Sequence, residues 1–299
     1  MSGTSSNEVR WLLTSPPIFS DLAGLALMPR ADRARIAHAL DDGAGVDSHA
    51  TESHGSPTRP TREITVGHRA EHLLSSALGR CPGIDLIATR LPITEGNRTV
   101  GELDLLYDDH QRQCRVHCEV SVRLLLQRAS EAQWSAWCGT DPSQGFQDKL
   151  DHLRKHQLPL GDHPAVPRHP TWPTVNEALL LGWLLQPAGL TWPVPEGTSP
   201  DHLRGWWLRH GIAEPLRSSR AARFSIIPSA GWLGSLRLPS STPVLAPGEL
   251  SRHLDKHFAK HDHAVLVAEV IRAGDGGWRE INRGAVVHRR WPDKPARWR

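Results

Sequence analysis

The chain has 299 residues, 38% of them apolar and 22% charged, a balance that suits a folded protein with a sizeable core and excludes a disordered or fibrous one. The formal net charge of +3 permits a polyanionic partner without demanding one. Basic charge is almost all arginine, and the lysines are Lys149, Lys155, Lys256, Lys260 and Lys294.

The N-terminal stretch "MSGTSSNEVRWLLTSPP" has no apolar core of the kind a leader peptide carries. No run approaches the roughly 20 apolar residues of a membrane span, so no membrane partner is expected. The cysteines, Cys81, Cys114, Cys118 and Cys138, form no CxxC pair, and they read as reduced thiols of a cytoplasmic protein.

In chain order, residues 1–40 read as a helical segment, with "ADRARIAHAL" as its second helix, and the Gly-, Ser- and Pro-rich residues 41–62 read as a flexible linker. "EITVGHRAEHLLSSALG" (63–79) has the spacing of an amphipathic helix ending on Gly79. "IDLIATRLPI" follows as a strand, then "TVGELDLLYDD" and "QCRVHCEVSVRLLL" as two strands around a short turn. A helix is expected near 146–157, and the apolar run "NEALLLGWLL" (176–185) reads as a buried strand. Residues 186–247 are rich in Pro and Trp and give no clear pattern. A helix near 248–260 precedes "AVLVAEVI" and "WREINRGAVVH", a strand pair turning at "AGDGG". Residues 63–185 therefore form an α/β unit with a mixed sheet, and 186–299 an added α+β region.

The chemistry-bearing feature is the hairpin at 101–123. Side chains alternate between faces along a strand, so Glu102 and Asp104 share one face, as do Glu119, Ser121 and Arg123. If residues 110–113 form the loop and Asp109 faces Cys114, antiparallel counting puts Asp104 directly opposite Glu119, with Cα atoms about 4.5–5.5 Å apart. Like charges so placed repel, and burial makes the cost larger. A divalent cation reverses the sign, and an oxygen-rich pair with waters suits Mg²⁺ or Mn²⁺. The bland alternative is a solvated hairpin edge, against which the apolar flanks "LDLLY" and "VSVRLLL" argue.

Other constellations carry less. His152 and His156 stand one helical turn apart, a spacing that can bind a transition metal, but with 18 histidines in the chain the spacing alone means little. "HFAKHDH" (257–263) invites the same thought and the same answer, since histidine at a helix end is favourable against the dipole. Twelve tryptophans, among them Trp134, Trp137, Trp206 and Trp207, read first as core packing and second as platforms for unpaired bases.

The order helix, strand, strand with Asp, strand with Glu, helix, strand resembles the PD-(D/E)XK nuclease superfamily. The segments "GELDLL", "CEVSVRLLL", "DKLDHLRKHQLPL", "RGWWL" and "GWREINRGAVVHRRWP" resemble the bacterial domain-of-unknown-function family 1853, over about Trp11 to Pro292. The resemblance implies a restriction-endonuclease-like core, with a mixed central sheet flanked by helices, and hydrolysis of nucleic acid. It further implies Asp104 and Glu119 as metal ligands, the Val120 carbonyl as a third donor and Glu71 as an additional acid. The sequence departs from the superfamily where a lysine is expected: Ser121 stands two residues after Glu119, and Arg123 two further on. Arginine can hold a phosphate bidentately but cannot act as a base near neutral pH. Lys149 is the alternative cation. Two expectations follow: a Mg²⁺-dependent nuclease using Asp104, Glu119, Glu71 and Arg123 or Lys149, or an inactive nuclease-fold module that binds nucleic acid or a protein partner.

Overall fold

A computed structural model describes residues 3–22, 24–42, 65–211, 222–228 and 231–293. The chain is mixed α/β, with ten strands hydrogen-bonded into a mixed sheet and helices flanking it. No described helix is long and apolar enough to cross a membrane.

Tertiary contacts divide the chain into two units, each assembled from separated segments: residues 1–15, 23–122 and 153–180 in the first, and 16–22, 123–152 and 181–299 in the second. The linker expected over 41–62 falls, from residue 43 on, outside the described residues.

In the first unit, α1 (Gly3–Thr14), α2 (Arg30–Asp42) and α3 (Val66–Leu78) accompany β1 (Ile84–Glu95), β2 (Arg98–Asp109) and the starts of β3 (Cys114–Gln127) and β5 (Thr174–Pro187). The helical reading of the N-terminal segment holds for α1 and α2 but not between them. There Pro16, Pro17 and Pro29 cannot continue a helix. Residues near Leu27 run extended instead, with the Met28 N–H bonded to the Ala178 carbonyl. α3 starts on Thr65, whose side chain accepts the His68 N–H at 3.3 Å, and it docks on α1 through Arg69 and the buried Glu8. Ile93, Leu103, Leu106 and Val166 make a core cluster with Leu160 packed against it.

The β2–β3 hairpin has the counted register: Asp109 opposite Cys114, and on to Leu105 opposite Cys118. Residues 110–113 are the turn, closed by Gln113 at φ 50°. The bulges lie instead between β1 and β2, beside Leu86–Ala88 and Ile93–Thr94.

The second unit holds β4 (Trp137–Cys138), α4 (Phe146–His152), β6 (Leu203–Arg209), β7 (Arg223–Ile226), β8 (Arg237–Leu238), α5 (Pro247–Phe258), β9 (Val265–Arg272) and β10 (Trp278–Val287). Along the sheet β6 pairs parallel with β10, β10 antiparallel with β9, and β9 antiparallel with β7. The strand pair turning at 273–277 is as the sequence indicates, whereas β6, β7 and β8 come from the stretch that gave no pattern. Its core includes Leu126, Leu185, Trp207, Val270 and Ala285. Arg283 is buried beneath Trp183, donates to both oxygens of Glu280 and caps the Trp232 and Gly234 carbonyls. Full pairing of this kind is what permits an arginine in a core.

Candidate functional site: a buried acidic pair in the first unit

Continuing the β2–β3 ladder one step past Leu105 and Cys118 brings Asp104 opposite Glu119. At that step the Val120 N–H donates to Asp104 Oδ2, at 2.9 Å. A carboxylate thus replaces a backbone carbonyl as acceptor, which holds the Asp104 side chain against β3.

Burial pushes the Asp104 carboxyl up to about 8, and the negative charge of Glu119 is the next largest cause; the Val120 N–H opposes both, while Glu71 and Glu102 add to the rise. Glu71, on α3, is also raised, first by burial and further by Glu102 and Glu119, with His68 and Arg90 pulling the other way. The acids 71, 102, 104 and 119 therefore share one electrostatic neighbourhood. Among the described residues no three or more His, Cys, Asp or Glu side chains stand together as a ready metal-holding group. What the fold offers a cation is the Asp104–Glu119 pair.

Glu119 is held from both sides. Its Oε1 lies 2.8 Å from His117 Nε2, and its Oε2 accepts Gln157 Nε2 at 2.6 Å. The His117 and Glu119 side chains are 0% and 2% exposed. His117 Nδ1 faces Asn176 Oδ1 at 3.2 Å, and Asn176 Nδ2 donates to Asp162 at 2.8 Å, which fixes the amide with its oxygen toward the ring. Both ring nitrogens thus face oxygens, so a ring donating from both satisfies both partners.

Three residues of this arrangement were missed at the sequence level: His117, Gln157 and Arg90. Parity along β3 puts His117 on the Glu119 face and could have found it. Gln157 could not be found that way. The expected helix over 146–157 is regular only through His152, and Leu153–Gln157 widens into a π-helical turn before the 3₁₀ turn Leu158–Asp162. That change of pitch sets where Gln157 points, and such turns recur at functional sites. Arg90 lies in the bulged part of β1 at φ 51° and donates to Glu102 Oε1 at 3.0 Å.

Arg123 and Lys149 are exposed and belong to the second unit. Trp134, Trp137 and Trp207 are buried, with the Trp207 indole N–H bonded to the Gln127 carbonyl, and Trp206 is half-buried. Core packing accounts for the three buried ones. The four cysteines are free and buried.

A second buried charge cluster in this unit joins α2 to the hairpin. Arg112 donates to both oxygens of the buried Glu177, at 3.3 and 3.0 Å, and lies 3.2 Å from Asp32. The Tyr107 hydroxyl also donates to Glu177, at 3.2 Å. Asp32 and Asp109 share Arg35, and Asp109 accepts the turn N–H groups of Gln111 and Arg112. Every acid here has a cation, in contrast to Asp104.

A family model described as Domain of unknown function (DUF1853) matches residues 7–287. No curated protein and no solved structure matches the chain.

Proposed function

The chain belongs to the DUF1853 family, and on that footing we propose that it is a Mg²⁺- or Mn²⁺-dependent phosphodiesterase of the PD-(D/E)XK type acting on nucleic acid. The observation that carries this reading is the Asp104 carboxyl. It is raised to about 8 by burial and by Glu119, a placement that costs free energy unless a cation or a proton compensates it.

The donor set fits a hard divalent ion. Asp104 and Glu119 would hold it, with the Val120 carbonyl as a third oxygen and waters completing the shell. Bound there, such an ion supplies charge to the scissile phosphate and a water of lowered pKa for in-line attack.

The chain's own residues do the rest. His117 and Gln157 fix Glu119 in one orientation, so the acid pair keeps its geometry as charge changes. Glu71 adds negative potential at the same place and favours cation over anion. Arg123, or Lys149 in its stead, is assigned to hold the phosphate, and Arg123 does so without acting as a base. Arg90, already paired with Glu102, is a further cation beside the acids.

A second reading is favoured by one observation: both Glu119 oxygens are already engaged by protein donors, and residue 121 is serine. On that reading the fold binds nucleic acid without cutting it.

Plasmid and single-stranded oligonucleotide cleavage with Mg²⁺ and with Mn²⁺, run beside Asp104→Ala, separates the two. Cleavage present in the wild type and lost in the variant supports the nuclease. Cleavage that survives Asp104→Ala refutes it, and binding without cleavage selects the second reading.

A further inference from the structure

In the second unit, His257 on the last turn of α5 and His261 and His263 just beyond it gather their rings. Ring centroids lie 5.2 Å apart for His257 and His261, 5.2 Å for His261 and His263, and 4.5 Å for His257 and His263. Imidazoles bound at about 2.0–2.1 Å place their ring centres about 3.2 Å from a zinc-class ion, so two rings at a tetrahedral angle have centres about 5.2 Å apart. The observed triangle has that size.

A second observation concerns the tautomer. His257 Nε2 lies 2.9 Å from the carbonyl oxygen of His263, to which it can only donate. That bond leaves the lone pair of neutral His257 on Nδ1. A backbone carbonyl accepting the distal N–H is the usual support of a metal-ligating histidine. The same bond ties the loop back onto the helix end, so the three rings are held near one another without metal.

We propose that His257, His261 and His263 form a three-imidazole site for one transition-metal cation of the Zn²⁺ class, at the C-terminal end of α5. The rings as they stand are not yet turned onto a common ion. His261 and His263 are exposed, so rotating them onto one costs little more than a rotamer change. The exposed carbonyls at the end of α5 favour a cation. His263 is shifted down by burial and by its two histidine neighbours, which keeps it in the neutral form that a metal needs. The water-filled remainder of the shell would leave a position open to an exchangeable ligand.

The test uses the full-length protein, stripped with EDTA, dialysed and titrated with Co²⁺, followed by competition with Zn²⁺. The expected result is one tight equivalent with the visible absorption of four-coordinate cobalt, displaced by zinc, and a zinc-dependent rise in Tm. His257→Asn/His261→Asn/His263→Asn should weaken that equivalent at least about tenfold. His253→Asn, exposed on the same helix, should leave it unchanged. If the triple variant fails to fold by circular dichroism, His261→Asn alone, at an exposed position, should still lower affinity several-fold. A wild type with no tight equivalent, or a site unaffected by these changes, overturns the proposal. Asp104→Ala should leave this site intact, so its failure and that of the nuclease reading are distinguishable.

Discussion

The Val120 N–H donates to Asp104 Oδ2 one step beyond the pair Leu105 and Cys118, so a side chain takes over where the β2–β3 ladder would otherwise continue. The bond both locks the Asp104 carboxyl beside Glu119 and pulls against the two causes that raise it, burial and the Glu119 charge. Free energy is therefore stored in this acid whenever it is ionised and no cation is bound.

That storage sets a pH dependence. The Asp104 carboxyl is raised from 3.8 to about 8 in the folded chain. Between these values the folded state holds a proton that the unfolded state has released, so stability is fully present below pH 4, falls as pH rises and levels off above pH 8. Asp104→Asn keeps an acceptor for Val120 and removes the ionisation. Urea unfolding in EDTA should show the variant equal to wild type near pH 4 and about 1–3 kcal/mol more stable at pH 8.5. Excess Mg²⁺ at pH 8.5 should stabilise the wild type and not the variant. Equal pH profiles for the two proteins would show that the acid pair is not strained.

Gly161 tests the support of Glu119. A Cβ there would fall on Asn176 Oδ1 and His117 Nδ1, the two atoms that pair to orient the imidazole. Gly161→Ala should cost about 1–3 kcal/mol by overpacking and displace the His117 ring from Glu119. Gly101→Ala is the control, because its Cβ meets only the flexible end of Leu160. Proton NMR of the His117 ring should change in the first variant and not in the second, with the larger loss of Tm also in the first.

What the sequence disclosed and what it hid follow from the range of the interactions. The hairpin was legible because alternation fixes faces and a four-residue loop fixes register, both local rules. So Asp104 could be counted opposite Glu119 before any coordinates. Glu177 escaped notice inside "NEALLLGWLL", since the arginine that makes its burial tolerable lies 65 positions away. β6, "LRGWWLR", has no clean alternation, and its partner β10 begins some 70 residues later. Gln157 depends on a change of helical pitch that no apolar period encodes. Domain boundaries were equally hidden, because each unit is built from segments that are separated along the chain.

Arg112 is the partner on which the second charge cluster depends. Burial raises the Glu177 carboxyl, and Arg112 and the Tyr107 hydroxyl hold it down. Arg112→Ala leaves a carboxylate that is 1% exposed without its cation, a loss of about 3–5 kcal/mol at neutral pH. Glu177→Gln, which removes the charge instead, should cost much less, and adding it to Arg112→Ala should recover part of the stability. Loss of Arg112 raises the Glu177 carboxyl further, so the defect should shrink as pH is lowered and the acid protonates. Chemical denaturation of the three variants at pH 5 and pH 7.5 checks both the ranking and the sign.

In the second unit, backbone geometry makes the sharpest demand at Gly182 of β5, at φ 147°, where a Cβ would collide with the carbonyl group of Arg123. The strain comes from both the dihedral and the contact, and the opposing atoms are main chain, which cannot rotate away. Gly182→Ala should therefore destabilise by more than Gly189→Ala, about 2–4 kcal/mol against roughly 1 kcal/mol, because at Gly189 φ is also positive, 78°, but nothing lies in the path of a Cβ. Thermal melts of the two variants isolate the contact from the dihedral. Equal losses would mean that β3 and β5 can separate at Arg123 without cost, and that the residue assigned to the phosphate is not held by its strand.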